Sequence, residues 1–419
     1  MKIGIIGSGI SGLTSSLLLT CNHEITLFEK NNYFGGHSNT VSIKNKDDNV
    51  SVDTGFIVYN EKNYPNFVKL LKYLNVITIK SDMSFSFCNK DIGLEYKGSF
   101  IGLIANYKNL LNKNYYLMLR DIIKFYNFGP KYKKNSKFNE TLEAYLDRCN
   151  FSKYFCDYHL IPMTSAIWSS SEVEIKKFPV NSMLNFYENH NLLNFFNRPQ
   201  WRTIKGGSKQ YVEKIVKVLK KNRNNNLFLN KKIKEIKKIN NKVILLDNKN
   251  QEHQFDYVIF ANHTDEASMI LKNFDKNTSE LLKNFRYQKN VAFLHKDKKL
   301  MPKNKLTWSS WNYLSQKNTK SSLTYWMNNL QNLKIDEDVF VTLNPSQLPD
   351  TDKIIRVENY YHPIYDIKSN KVQNEIIKIQ GKNRIFFSGA WTGYGFHEDG
   401  VNSALQISKL LKIKPLFLK

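Results

Sequence analysis

The run KIGIIGSGISGLTSSLLLT at residues 2–20 decides the fold of this chain. It predicts a buried strand, a tight turn with Gly7, Gly9 and Gly12, and an apolar helix. The run EITLF that follows predicts a second strand ending at Glu29. The glycines allow the sharp turn, let the backbone approach a pyrophosphate and let the helix pack close to the sheet. The helix N-terminus attracts phosphate through its free N–H groups. Glu29 lies 17 residues after Gly12, near the spacing of about 20 expected of an acid that binds a ribose. The run therefore predicts a dinucleotide-binding βαβ unit.

Length and composition limit the class of protein. A chain of 419 residues, of which 41% are hydrophobic, predicts two domains or one large interwoven pair, with sizeable cores. No run of about 18 apolar residues occurs. The sequence starts directly with a buried-type strand rather than a basic signal region, so we expect a cytoplasmic protein. Its four cysteines lack CxxC spacing, which predicts reduced thiols and no metal site.

The net charge of +25 raises the question of a polyanionic partner. Lysine and asparagine are abundant throughout, as in KKNRNNN at 220–226, which is typical of a general compositional bias. No nucleic-acid-binding motif accompanies the charge, so we expect no nucleic-acid partner. Residues 100–128 combine apolar faces with lysines. They predict either peripheral contact with an anionic membrane or, as the simpler interpretation, substrate-domain helices with solvated lysines.

Glycine-bearing loops follow predicted strands at three further places. They are Gly35-Gly36, Gly206-Gly207 and the loop from Gly389 to Gly400, after which a helix is predicted from about Asn402. Two segments of different character lie between these places. The pattern predicts an α/β fold with a Rossmann-like domain, built from a parallel sheet with helices, and an inserted α+β substrate domain with a mixed or antiparallel sheet. The expected bounds are 1–80, 200–280 and 375–419 for the first domain, and 81–199 and 281–374 for the second.

Five motifs resemble those of the flavin-dependent amine oxidase superfamily, across essentially the whole chain. They are GIIGSGISGL at 4–13, LFEK at 27–30, FGGH at 34–37, GGS at 206–208 and FFSGAWTGYGFHEDG at 386–400. The phrases HSNTV, DTGFIVYN and AIWSS are similar to a narrower branch of NAD/FAD-binding proteins, related to the N-terminal half of plant cyclopropane fatty acid synthases. The resemblance implies that the first domain binds FAD.

The resemblance also implies which residues bind the cofactor. The first motif would bind the FAD pyrophosphate, Glu29 the adenosine ribose, and the last motif the flavin and ribityl end. Carried over by position, the cofactor-binding residues are Gly7, Gly9, Ile10, Ser11, Gly12, Glu29, Lys30, Gly36, His37, Ser38, Ile233, Gly389, Gly400 and Val401.

The chain departs from the superfamily pattern at several positions. His37 stands where relatives usually have Arg, and Asn290 stands where amine oxidases commonly have a Lys near the flavin. Ala390 replaces an acid, and no Cys stands where some relatives form a covalent flavin bond. A neutral imidazole contributes less fixed charge near phosphate than a guanidinium does. These departures favour non-covalent FAD and disfavour a literal amine oxidase.

The glycine-rich loop near the C-terminus carries the candidate catalytic residues His397, Trp391 and Tyr394. We interpret His397 as an acid/base or hydrogen-bond donor beside the flavin, and the two aromatic rings as walls of the substrate cavity. Aromatic packing is the simpler alternative for Trp391 and Tyr394. Asp399 has two equal interpretations, a flavin-adjacent group or a helix cap.

The resemblance implies an FAD-dependent oxidoreductase that removes a hydride from a small-molecule or lipid substrate. The narrower branch suggests a modified acyl chain. Flavin performs the redox chemistry, so the protein supplies orientation and excludes water. The alternatives are a flavin amine oxidase acting on an amine, and an FAD-bound accessory protein with a lipid methylase partner. An NAD-dependent dehydrogenase is a weaker third interpretation, because a simple N-terminal NAD domain would not need the later glycine loops.

Overall fold

The structure is a computed structural model that describes residues 1–46, 48–133, 140–194, 198–316 and 321–418. These residues form twenty strands and sixteen α-helices. The strands are β1 (Lys2–Ile6), β2 (Glu24–Phe28), β3 (Thr40–Asn45), β4 (Asp48–Asp53), β5 (Val58–Asn60), β6 (Thr78–Lys80), β7 (Phe85–Asn89), β8 (Leu94–Lys97), β9 (Trp201–Ile204), β10 (Asn226–Phe228), β11 (Ile233–Ile239), β12 (Lys242–Asp247), β13 (Glu252–Phe255), β14 (Tyr257–Phe260), β15 (Tyr287–His295), β16 (Trp311–Ser315), β17 (Ser322–Trp326), β18 (Phe340–Leu343), β19 (Ile354–Pro363) and β20 (Ile385–Phe387). The helices are α1 (Ile10–Leu19), α2 (Pro65–Tyr73), α3 (Phe100–Ile104), α4 (Tyr107–Leu110), α5 (Lys113–Lys133), α6 (Leu142–Arg148), α7 (Lys153–Phe155), α8 (Ile161–Trp168), α9 (Glu172–Lys176), α10 (Val180–Asn189), α11 (Lys209–Lys221), α12 (Thr264–Leu271), α13 (Lys276–Lys283), α14 (Met327–Leu330), α15 (Ile367–Lys378) and α16 (His397–Leu410). Within the described ranges, no helix combines the length and the apolar character needed to cross a membrane.

The predicted βαβ unit opens a five-stranded parallel sheet of order β10-β2-β1-β14-β20. β1 pairs with both β2 and β14, so that Ile5 lies between Leu27 and Ile259. These three side chains are fully buried, as expected for a parallel sheet that is covered on both faces. The prediction of an α/β fold with a parallel sheet is confirmed.

Different layers cover the two faces of this sheet. Helices α1, α2, α11 and α16 share one apolar core with β1, β2 and β14. On the other face, a Cβ added at Gly4 would lie 2.8 Å from the ring of Phe255 in β13. This phenylalanine belongs to the antiparallel sheet β11-β12-β13, which therefore packs directly on the centre of the parallel sheet.

A second large sheet has seven strands in the order β19-β15-β18-β17-β16-β7-β8. Its neighbouring strands are antiparallel, except that β16 and β7 run parallel. Helices α5–α8 and α10 share an apolar core with this sheet. The predicted mixed sheet is thus confirmed, while the exact domain bounds stay a prediction.

The last helix begins earlier than the sequence predicts. It was expected from about Asn402 but starts at His397. The reason is local, because a carboxylate oxygen of Asp399 accepts the backbone N–H of Phe396 at 2.9 Å and so starts the helix there. The capping interpretation of Asp399 is therefore observed.

Residues 100–128 lie in the predicted helices, which are α3, α4 and most of α5. The Ser99 hydroxyl accepts the backbone N–H of Gly102 at 3.2 Å, and this cap begins α3. The side chain of Asn106 accepts the backbone N–H of Lys108 at 3.2 Å, and this cap begins α4. Side-chain oxygens at these positions stabilise a new helix start and interrupt the preceding helix.

The turn after β1 has no room for a side chain at Gly12. A Cβ built there would lie 1.9 Å from the carbonyl oxygen of Gly7, whereas a Cβ at Gly9 would meet no atom within 4 Å. We expect Gly12→Ala to lower the free energy of unfolding by about 1–3 kcal/mol, the usual cost of overpacking. Gly9→Ala is the matched control and should leave the free energy of unfolding nearly unchanged. Thermal unfolding of protein stripped of bound small molecules measures both variants. Equal midpoints would contradict the close packing at Gly12.

Candidate active site

A cavity of about 790 Å³ lies where the parallel sheet meets the seven-stranded sheet and its helices. Its size is within the range of ligand-binding pockets. The two ends differ in chemistry. One end is lined by Gly7, Ser8, Gly9, Ile10, Ser11, Glu29, Lys30, Gly35 and Gly36. The other end is apolar and aromatic, with a lining that includes Met83, Phe85, Met163, Ile167, Trp311 and Tyr325.

The glycine turn presents bare backbone to the cavity. Gly7 has a φ of +103°, a left-handed conformation that glycine adopts readily. A Cβ added at Gly9 would project into open space, and one at Gly36 would lie 3.2 Å from the Cα of Gly9. The backbones of these two glycines therefore leave a space beside the N-terminus of α1, where anions bind favourably.

The Glu29 carboxylate is held in place at the end of β2. One oxygen accepts the backbone N–H of Ser8 at 3.0 Å and its hydroxyl at 2.6 Å. The other accepts the backbone N–H of Asn31 at 2.9 Å. A carboxylate has about four lone-pair sites, so it keeps capacity to accept a hydrogen bond from a ligand hydroxyl.

Lys30 forms an ion pair with Glu266 across the cavity edge. Burial alone would lower the pKa of Lys30, but the Glu266 carboxylate raises it above its ordinary value. The lysine is therefore charged at neutral pH, and it already has a partner within the protein.

The loop Gly389–Phe396 forms another part of the lining and is tightly packed. A Cβ at Gly389 would lie 2.3 Å from the indole of Trp391, so only glycine lets that ring fold back over the backbone. The amide of Gln373 donates to the carbonyl oxygens of Trp391 and Gly393, both at 2.7 Å. Tyr394 lies in the same loop, and these contacts hold both aromatic rings in the lining.

His397 is fixed by contacts within the protein. Its Nε2 lies 3.0 Å from the Ser38 hydroxyl and 3.1 Å from the Tyr211 hydroxyl. Its ring stacks on Phe56 with centroids 3.5 Å apart. Burial lowers the pKa of His397 to about 3. A general acid or base works best with a pKa near the working pH, so this geometry favours a fixed hydrogen-bonding role over proton transfer.

Three further imidazoles face one another across the cavity lining. The ring of His37 lies 5.2 Å from that of His362 and 6.2 Å from that of His263, centroid to centroid. Burial, followed by the neighbouring imidazoles, lowers the pKa of His37 well below its ordinary value. Burial and His263 lower the pKa of His362 to about 4. Burial also lowers the pKa of His263, so the three rings are neutral at physiological pH.

Asn290 positions one of these imidazoles. It is fully buried in β15, and its amide nitrogen donates to Nδ1 of His362 at 2.7 Å. A neutral imidazole that accepts at one nitrogen is a donor at the other, so Nε2 of His362 carries the hydrogen. The position where a lysine was expected in an amine oxidase thus serves to orient a neutral histidine.

Comparison with known proteins shows to which family the chain belongs. The model of the family described as "Flavin containing amine oxidoreductase" matches residues 10–337. The chain belongs to this family. Membership confirms the superfamily expected from the sequence, the flavin cofactor and the assignment as an oxidoreductase enzyme, while the link to plant cyclopropane fatty acid synthases stays a prediction.

Two curated relatives match parts of the chain. A 4,4'-diapophytoene desaturase from Staphylococcus aureus is 27% identical over 186 residues, which cover 36% of this chain and 36% of the relative. A protoporphyrinogen oxidase from Dictyostelium discoideum is 34% identical over 137 residues, which cover 30% of this chain and 24% of the relative. The chain thus matches about a third or less of the length of these relatives.

Solved structures share the fold over nearly the whole chain. A fatty acid isomerase from P. acnes has a TM-score of 0.69 at 13% identity, covering 98% of both chains. A cyclohexylamine oxidase from Brevibacterium oxydans has a TM-score of 0.64 at 12% identity, covering 98% of this chain and 99% of that one. At these identities, the likeness concerns the fold alone.

Most of the residues predicted from the family motifs line the cavity. From the predicted cofactor and catalytic sets, the lining contains Gly7, Gly9, Ile10, Ser11, Glu29, Lys30, Gly36, His37, Ile233, Gly389, Trp391, Tyr394 and His397. The structure therefore brings together residues from distant parts of the chain, and their individual roles stay predictions.

Four predicted cofactor residues lie behind the lining. Gly12 packs against the carbonyl of Gly7, and a Cβ at Gly400 would lie 2.6 Å from the Ile10 side chain. Val401 is fully buried in the core, and Ser38 contacts His397. The two glycines allow close packing of α1 with its neighbours, and any further role of the four toward a cofactor stays a prediction.

The cluster of His263 and His362 beside His37 was missed from the sequence. His263 follows β14, and residues beyond the carboxyl end of a parallel strand commonly contact ligands. That signal was available once the strand had been recognised. His362 carries no such signal, because its place in the cluster depends on the pairing of β15 with β19.

Unpartnered polar atoms in the lining fit a polar cofactor. Nε1 of Trp391, Nε2 of His37 and Oδ1 of Asn262 are buried and make no hydrogen bond to any described residue. All three residues line the cavity. Buried polar atoms without partners are rare in folded proteins. Together with the open backbone at Gly9, they fit a flavin that brings its own donors and acceptors.

Asp399 makes the stability of the folded chain depend on pH. Burial, together with the weaker effect of Glu398, raises its pKa from 3.8 to about 7. Between these values the folded state binds more protons than the unfolded state, so this group's contribution to stability falls as pH rises. We expect Asp399→Asn, which keeps an acceptor for Phe396, to gain stability relative to wild type by on the order of 1 kcal/mol per pH unit across that interval.

Thermal unfolding at several pH values checks this expectation. Asp352→Asn, in an exposed turn, is the matched control and should follow the wild-type curve. If the Asp399→Asn curve also stays parallel to wild type, the pKa of Asp399 is not raised.

Proposed function

We propose that this chain binds FAD non-covalently and uses it to remove a hydride from an apolar substrate, with the acyl chain of a lipid as the favoured class. The observation that carries the proposal is the chemical difference between the two ends of the cavity. A backbone-lined, anion-accepting end lies beside α1, and an apolar, aromatic end includes Phe85, Met163 and Trp311.

The glycine end supports FAD as the form of the flavin. The open space at Gly9 and the N-terminus of α1 suit a pyrophosphate. The Glu29 carboxylate, held by Ser8 and Asn31, suits a ribose hydroxyl. None of the four cysteines is among the described residues that line the cavity, which supports non-covalent binding.

The apolar end disfavours a cationic substrate. The carboxylates in the described lining are Glu29 and Glu266. Both belong to the nucleotide end, where Glu29 is bonded to Ser8 and Glu266 is paired with Lys30. A substrate ammonium at the apolar end would therefore lose its hydration without gaining a carboxylate partner, which is costly.

FAD, when bound, supplies the acceptor for the hydride and its two electrons. The chain's own residues orient the substrate and exclude water. Trp391 and Tyr394 lie in the loop Gly389–Phe396, whose backbone is bonded to Gln373. Their rings would limit the positions that the reacting carbon can take. The neutral rings of His37 and His362 add no charge to the lining. The partial similarity to a protein named as a desaturase supports removal of hydrogen from a carbon chain.

The first experiment is the visible absorption spectrum of the purified protein. We expect the bands of oxidised flavin, and we expect acid or heat denaturation to release FAD into the supernatant. A colourless protein that binds NAD would contradict the proposal. Flavin that stays with the denatured chain would contradict non-covalent binding.

The substrate class is tested by anaerobic mixing of the flavin-loaded protein with phospholipids that carry unsaturated or cyclopropane acyl chains, and separately with primary amines. We expect flavin bleaching with an acyl lipid and not with amines. Bleaching with amines alone would identify an amine oxidase. If no compound reduces the flavin while dithionite does, the result favours an accessory protein for a partner enzyme.

Gly9→Ala tests the proposed pyrophosphate position. An added methyl group would project into the space where the backbone is open, so we expect the FAD dissociation constant to rise by about 10- to 100-fold, equivalent to an overpacking cost of about 1–3 kcal/mol. Fluorescence titration with FAD measures this change. Gly98→Ala is the control, because an added Cβ there would have only an ordinary contact, 3.8 Å from the carbonyl oxygen of Phe85. Unchanged FAD affinity in Gly9→Ala would place the pyrophosphate elsewhere.

A further inference from the structure

Large apolar side chains are exposed together around the short helices α3 and α4. Phe100 is 81% exposed and Leu111 is 85% exposed, and Leu306 in a neighbouring turn is 64% exposed. We call this set the docking surface. It consists of Phe100, Ile101, Ile104, Tyr107, Leu111 and Leu306, all exposed. Single exposed apolar residues are normal, but a group of this kind marks a site of interaction.

Hydrogen bonds hold the elements of the docking surface together. The side chain of Asn304 donates to the carbonyl oxygen of Ala105 at 3.0 Å, which joins the turn of Leu306 to the end of α3. The side chain of Asn109 donates to the carbonyl oxygen of Glu95 at 2.9 Å, which joins α4 to β8. The exposed apolar groups are thus fixed on a connected frame.

Several exposed lysines lie around the docking surface. Among the described residues, none of them forms an ion pair. They are Lys90, Lys108, Lys113, Lys303 and Lys305, all exposed. The acids nearby are few, and Glu95 is already bonded to Asn304 and Thr307. The surface therefore combines an apolar centre with an excess of positive charge.

We propose that the docking surface binds an anionic lipid membrane. Exposed lysines near an apolar patch attract acidic lipid headgroups, and their long stems let the apolar side chains enter the lipid while the ammonium groups stay in water. A protein partner fits less well, because lysine is depleted at protein–protein interfaces. A second copy of this chain would also bring the same positive charges together.

The docking surface lies beside the apolar end of the cavity. The backbone N–H of Gly98, two residues before Phe100, donates to the carbonyl oxygen of Phe85 at 3.1 Å. Phe85 lines the cavity, and in the sheet it lies opposite Trp311, which also lines it. Membrane contact at this place would bring lipid close to the end of the cavity that suits an apolar substrate.

The test is cosedimentation of the flavin-loaded protein with vesicles. We expect binding to vesicles of equal parts phosphatidylcholine and phosphatidylglycerol, and little binding to pure phosphatidylcholine. Binding should weaken in about 1 M salt, where charges are screened within about 3 Å. Phe100→Ser and Leu111→Ser should each lower the partition coefficient by about tenfold or more, as expected when a buried Phe or Leu is lost. Lys108→Gln and Lys113→Gln should each lower it about fivefold.

Matched substitutions elsewhere control for general effects. Ile377→Ser removes an apolar side chain on α15 that is 65% exposed. Lys220→Gln removes an exposed lysine on α11. Both should bind like wild type. Absence of binding to anionic vesicles in low salt would overturn the proposal, as would equal losses in the control variants. If the docking-surface variants instead dissociate an oligomer in solution and bind vesicles normally, the surface joins two copies of the chain.

The membrane proposal and the proposed reaction can fail separately. Sedimentation needs no substrate and no turnover. If the protein binds vesicles but acyl lipids never bleach its flavin, the membrane proposal stands and the lipid-substrate proposal is wrong. If the protein oxidises detergent-dispersed lipids but never sediments with vesicles, the lipid-substrate proposal stands and the membrane proposal is wrong.

Discussion

The close approach of α1 and α16 to the glycine turn is the contact on which the rest of the structure depends. Gly12 has no room for a side chain against the carbonyl of Gly7, and Gly400 has none against Ile10. Only hydrogen atoms at these positions let the two helices lie side by side against β1 and β14. This packing places the N-terminus of α1 at the edge of the cavity and brings the loop Gly389–Phe396 to the same edge. This edge of the cavity therefore depends on two glycines, far apart in the chain, that each allow a tight contact.

The two ends of the cavity differ in the polar and charged groups that line them. The glycine end offers backbone N–H groups, a fixed carboxylate at Glu29 and a paired lysine at Lys30. Beyond it, the charged forms of His37 and His362 are disfavoured by burial, so imidazoles that could titrate in water stay neutral. A region of low charge next to a polar binding site keeps water out while leaving hydrogen bonds available. Such an environment suits a flavin, whose protein supplies orientation and excludes competing reactions.

Local sequence patterns were enough to predict the parallel sheet and the glycine turn. Strand periodicity, the spacing of Gly7, Gly9 and Gly12, and the acid at Glu29 each depend on a few neighbouring residues. The family motifs extended this to most of the cavity lining. The start of α16 was misplaced because the bond from Phe396 to Asp399 outweighs the glycine-rich composition before it. The histidine cluster escaped prediction because His37 and His263 lie in loops beyond β2 and β14, whereas His362 lies in β19 of the other large sheet. No local pattern brings these three distant segments together.

The order of strands in the parallel sheet has a consequence for biosynthesis. β20 pairs with β14, and α16 covers α1, yet both are made long after the strands and helix they contact. Until they leave the ribosome, the nascent chain carries an open edge on β14 and an uncovered apolar face on α1. Unpaired edges and exposed apolar faces favour aggregation. The early part of the sheet therefore stays uncovered until the C-terminal strand and helix are made, and the cavity lining is complete only after translation has passed His397.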